Sequence, residues 1–154
     1  MASLETLLQP SKVFVFSGTL TADGLLSFSN PNGDGVDTPY LDLSGIDWER
    51  IVVDMDVSAA SGTSPTLDLE AKTVNIASGT TPTTSLCDVK DGSGTAFAMT
   101  QATAATREIK ALGRKNSDAD GAGVANVGKY IAFFAETGGT SPSFTTKVVV
   151  YVGK

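Results

Sequence analysis

The sequence predicts an all-β fold: a single-domain antiparallel β-sandwich, jelly-roll-like, with a short N-terminal arm. Three observations carry this expectation. Turn signals recur at intervals of roughly ten residues, and the runs between them are alternating or rich in β-branched residues, as in sandwiches and barrels. No helical segments alternate with these runs, which argues against a parallel α/β sheet. The phrase Gly-Thr-Ser-Pro occurs twice, at 62–65 and 139–142, each time with alternating residues on both sides.

The elements follow in order. Leu4, Leu7 and Leu8 give an apolar stretch cut off by Pro10. It is too short for a stable isolated helix, so residues 1–11 are assigned to an arm and 12–154 to the sandwich domain. Lys12–Gly18 reads as a strand, Thr21–Gly24 as a turn and Leu25–Ser29 as a second strand, together a hairpin. Asn30–Pro39 is a polar loop dense in breakers. Tyr40–Glu49 follows and carries the only tryptophan, Trp48.

Arg50–Ala60 alternates Val53, Met55 and Val57 against Val52, Asp54, Asp56 and Ser58, the pattern of a half-buried strand. Thr66–Ile76 alternates again. Leu86–Gly94 reads as a short strand and turn, and Thr95–Leu112 as strand, loop, strand. Gly113–Gly128 is a long loop. Lys129–Thr137 is a nearly continuous apolar strand, expected to be central, and Ser143–Lys154 is the last strand. About eight or nine strands result. Both Gly-Thr-Ser-Pro phrases read as turns, because glycine supplies unusual backbone angles and proline stops the ladder. Two hairpins on one plan are expected, in related places in the two halves of the fold.

Composition narrows the function. A chain of 154 residues fits one domain with a real core. The net charge of −6 disfavours nucleic acid and anionic membrane surfaces. Arg107, Arg114 and Lys115 are too few for a nucleic-acid patch. The chain has no histidine, which removes Ser-His and Cys-His nucleophile pairs. The single cysteine, Cys87, is expected to be a small buried hydrophobe. The start lacks the basic and apolar regions of a secretion signal, so synthesis and assembly in a cytoplasm are expected.

From Arg50 to Lys154, the alternating strand, "SGTSPTLDL", the later arginine-led apolar strand, "KYIAFFAETGGTSPSF" and the valine-rich end resemble small β-sandwich structural proteins of tailed bacteriophages. Residues 1–49 carry no part of this resemblance. It implies a non-enzymatic virion protein, first of all a capsid decoration (cement) protein. Such a protein would sit on the capsid surface and bridge subunits of the major capsid protein or another virion protein. It would be a homo-oligomer, a trimer if it caps threefold sites. A tail or fibre component is the alternative role. Leu4, Leu7 and Leu8, with the loops 30–39 and 113–128, are the expected partner contacts.

Other stretches carry residues suited to a site. Asn30, Asn32 and Asp34, with Gly35 and Asp37, follow the start of a calcium loop. Leu41 stands where a bidentate glutamate belongs, so turn geometry is preferred and no metal or cofactor is assigned. Asp118–Gly121 is expected to be a solvated loop, and the glycines of Asp91–Ala96 lack the ending of a phosphate loop. Asp54 and Asp56 share one strand face, as a hydrolase pair would, but are expected to form a solvent-facing polar edge. A carbohydrate-binding module would need an exposed platform, with Trp48 or Tyr40 as candidates.

Overall fold

The structure, a computed structural model, describes residues 10–31, 33–74, 86–90, 94–101, 106–113 and 127–154. Eight strands and no helix occur among them: β1 (Pro10–Leu20), β2 (Gly24–Leu25), β3 (Tyr40–Asp42), β4 (Arg50–Val74), β5 (Leu86–Asp88), β6 (Ala98–Gln101), β7 (Thr106–Gly113) and β8 (Tyr130–Gly153). All pairings between them are antiparallel.

The two expected Gly-Thr-Ser-Pro hairpins are absent. Each phrase lies inside one long strand, β4 of 25 residues or β8 of 24. The two strands pair along their whole length, from Arg50 opposite Gly153 to Val74 opposite Tyr130. The phrases meet face to face, with Thr63 opposite Thr140. A β-bulge needs the same residues as a turn, a positive φ and an interrupted ladder, so local sequence does not separate them.

The meeting point is reciprocal. Gly62 has φ 115° and Gly139 φ 97°, and Ser64 and Ser141 follow at 49° and 50°. A Cβ on Gly62 would lie 2.8 Å from the Ser141 carbonyl oxygen, and one on Gly139 2.5 Å from that of Ser64. Pro65 and Pro142, which have no N–H to donate, come next. The register shifts between Ser61 and Thr63 and again between Thr63 and Thr66. Two copies of one bend thus cross about a local pseudo-two-fold.

The bend divides the sheet. On one side the order is β1–β8–β4–β7. On the other, β2 and β3 flank β8 while β5 and β6 flank β4. The expected hairpin of Lys12–Gly18 with Leu25–Ser29 does not form, since β1 and β2 both pair with β8. Ser29 instead donates its N–H to the Val15 carbonyl at 3.2 Å.

Alternation works as read from sequence within each half. Ile51, Val53, Met55 and Val57 point into the core, and Leu67, Leu69 and Ala71 do so beyond the bend. In β8 the buried phase switches from odd (Ile131, Phe133, Ala135) to even (Val148, Val150, Val152), which is what an inserted bulge residue does. The inward residues of both halves join one hydrophobic cluster with Phe14, Phe28, Leu41 and Met99. The sheet therefore curls toward its own inner face. Phe28 anchors this packing edge-to-face against Phe133, with ring centroids 6.0 Å apart.

Candidate interaction surface

The outer face of the β1–β8–β4–β7 half is built from cross-strand rows. Val13, Tyr151, Val52 and Ala111 form the first. Val15, Val149, Asp54 and Ile109 form the second. Ser17, Lys147, Asp56 and Arg107 form the third. A sheet face turned to water is normally polar. This one exposes Val13 (40%), Val15 (37%) and Ile109 (48%), three of the four large hydrophobics exposed among the described residues. Val52, Ala111 and Tyr151 form a second apolar cluster, separate from the main core, with Val149 packed against it.

Asp54 sits in the middle of this face and is 5% exposed. A carboxylate buried among apolar groups needs paired, directional hydrogen bonds. Arg107 supplies them from β7: Nε donates to Oδ1 at 2.8 Å and Nη2 to Oδ2 at 2.5 Å. The guanidinium is pushed above its ordinary pKa, first by these hydrogen bonds and then by the Asp54 charge. Beside the pair lies a recess of about 260 Å³, lined by Asp54, Asp56, Arg107, Lys147, Val149 and Tyr151. Asp56 and Lys147 stand exposed at its rim. They are cross-strand partners, yet form no ion pair within 4.0 Å among the described residues. The recess offers charge and apolar surface for docking. Asp54 and Arg107 are engaged with each other, Asp56 and Lys147 face solvent, and the one hydroxyl in the lining is the Tyr151 phenol.

Several sequence expectations change here. Asp54 and Asp56 do share a face, but Asp54 is buried and paired, and β4 is an interior strand between β8 and β7 rather than an edge. The pairing with Arg107 was not legible because it joins residues 53 positions apart. Cys87 is exposed, not buried: among the described residues the three-residue β5 pairs with β4 alone and leaves the thiol open to solvent. Trp48 is 3% exposed and belongs to the main core, which removes it as a sugar platform. Tyr40 packs edge-to-face on Tyr130 with centroids 5.8 Å apart.

In the loop after β2, side-chain oxygens hold the loop's own backbone. Asn30 Oδ1 accepts from the Gly35 N–H at 2.7 Å, Asp37 Oδ1 from the Asn30 N–H at 2.9 Å, and Asp34 Oδ1 from the Val36 N–H at 3.0 Å. That is the turn chemistry expected of Asn and Asp. Asn32 lies outside the described residues, as do Leu4, Leu7, Leu8, Asp118–Gly121 and most of the loop 113–128. No protein-family model matches this chain, and no curated protein matches its sequence.

Proposed function

We propose that this protein is a non-enzymatic structural component of a bacteriophage virion, a capsid decoration protein that bridges neighbouring capsid subunits. The observation that carries an assembly role is the apolar outer face around Val13, Val15 and Ile109. Outward apolar residues clustered on a regular sheet face are the usual mark of an interaction surface. The head location comes from the resemblance of residues 50–154 to tailed-phage structural proteins.

The strand architecture suits a clamp. β4 and β8 run the length of the sheet as one continuous ladder. Tension along such a pair loads many hydrogen bonds together rather than one at a time. In this reading the curled sheet closes as a jelly-roll-like sandwich, with β4 and β8 passing from layer to layer at their bends. Strands that switch layers at bulges are a known way to make such corners. The shared core of the two halves supports it. The partners are the major capsid protein or another virion protein, and the assembled form is a homo-oligomer, a trimer at threefold sites. Residues 1–11, with Leu4, Leu7 and Leu8, reach a neighbour.

The test is particle binding. Purified protein is mixed with heads that lack it, and the heads are imaged and heated. Regular surface occupancy with raised heat resistance is the expected result, and deletion of residues 2–9 is expected to weaken occupancy. Intact, folded protein that leaves the heads bare overturns the capsid role and moves the protein to the tail or fibre.

A further inference from the structure

We infer that the outer face of the β1–β8–β4–β7 half binds the same face of a second copy of this chain, about a two-fold axis parallel to the strands and lying between β8 and β4. The cross-strand register selects this arrangement. Such an axis places β8 over β4 of the second copy and β1 over β7. It also keeps each row against its own kind. Lys147 then meets Asp56 of the second copy, and Asp56 meets its Lys147. In the next row Val15 meets Ile109, and Ile109 meets Val15. An axis along the middle row would instead set the apolar first row on the charged third, with Tyr151 on Lys147, Val52 on Asp56 and Ala111 on Arg107. Isologous contacts need this kind of self-complementarity.

Charge on the face fits a like partner. The whole chain carries −6. The face carries two carboxylates, Asp54 and Asp56, and two cations, Arg107 and Lys147, and so balances. An acidic copy meets no net repulsion there. Covering Asp54 strands no bare charge, because Arg107 already satisfies both its oxygens. Asp56 and Lys147 are exposed and not ion-paired with each other, so both are available to a partner.

Size sets the strength. Four strands spaced ~4.8 Å and three rows spaced ~6.6 Å give a face of roughly 400 Å². Two copies bury about 800 Å², short of the ~1,000 Å² of a stable specific interface, so the contact is a weak one that forms and dissociates with concentration. The contact stands whether or not the protein decorates a capsid, since the test uses free protein and no heads.

The experiment is sedimentation velocity, with native mass spectrometry, over a concentration series. Wild type is expected to shift from monomer to dimer. Lys147→Asp alone places two like-charge contacts in the dimer, as does Asp56→Lys alone, and each is expected to weaken pairing roughly tenfold or more. Mixing these two variants in equal amounts restores all opposite-charge contacts, and a heterodimer is expected. Neighbouring charges within each chain stay mismatched in the mixture, so only contact between chains explains the rescue. Thermal unfolding checks that each variant is folded. A wild type that stays monomeric at every concentration overturns the inference, and so does a mixture of folded variants that remains monomeric.

Discussion

Replacing Gly139 with alanine probes the crossing of β4 and β8 most severely. Gly139 has φ 97°, where an L side chain costs about 1–2 kcal/mol. The new Cβ also lands 2.5 Å from the Ser64 carbonyl oxygen and 2.7 Å from that of Thr63. Both are backbone atoms of the paired strand and cannot swing aside. Forced overpacking of this kind costs about 1–3 kcal/mol. The sum is about 2–5 kcal/mol, a large part of a typical stability of ~5–15 kcal/mol. At ~2–4 °C per kcal/mol the midpoint should fall by roughly 4–20 °C. Gly62→Ala is milder, because its closest approaches are 2.8 and 2.9 Å. Calorimetry or thermal circular dichroism reads both. At an exposed hairpin tip either change costs only the φ strain, about 1–2 kcal/mol. The reasoning is refuted if Gly139→Ala melts within about a degree of wild type, or if Gly62→Ala falls further.

Four other outcomes are expected. Arg107→Ala leaves the buried Asp54 carboxylate unpaired, so it should lower the melting temperature more than Arg107→Lys does, and Asp54→Asn should recover part of the loss in the double variant; equal melting of all three contradicts the assigned pair. The Asp88 carboxyl is held below its ordinary pKa of 3.8 by the hydrogen bond and charge of Lys72. That contribution is present above 3.8 and lost as pH falls through the lower folded value, so acid should loosen β5 from β4, and Asp88→Asn should remove this part of the acid dependence of the urea midpoint. Cys87 should react with a thiol reagent in the native protein at the rate of an exposed thiol, and reaction only after unfolding contradicts its placement. Trp48 fluorescence should be weakly quenched by iodide and unmoved by sugars, whereas strong quenching places it outside the core.

Much of the strand content was legible because it is local. Alternation along Arg50–Val57 gave the buried face of β4 correctly, and Thr95–Leu112 divides as expected into β6 and β7. The pairing was less legible, because it is set by contacts far apart in sequence. The twin Gly-Thr-Ser-Pro phrases announced two related structures but not their kind. Whether glycine and proline reverse a strand or bend it depends on what lies opposite, and here each phrase lies opposite the other. β1 and β2 looked like a hairpin for a similar reason: a short turn signal joins them, yet β8 offers both a longer partner. The interaction face was hidden in plain alternation. Val13 and Val15 lie on β1 and Ile109 on β7, and only register brings them to one surface with Asp56 and Lys147.

The crossing itself is tested most directly by a cross-link. Thr63 and Thr140 are opposed across the two bends. Opposed antiparallel residues have Cα atoms about 4.5–5.5 Å apart, within the ~4.4–6.8 Å that a disulfide spans. With Cys87→Ser in the background, Thr63→Cys and Thr140→Cys should form an intrachain disulfide on mild oxidation of folded protein, seen as a loss of two mass units and of both free thiols. Two thiols that stay reduced in the folded monomer would place the phrases apart, as separate hairpin turns, and contradict the paired bends on which the fold is built.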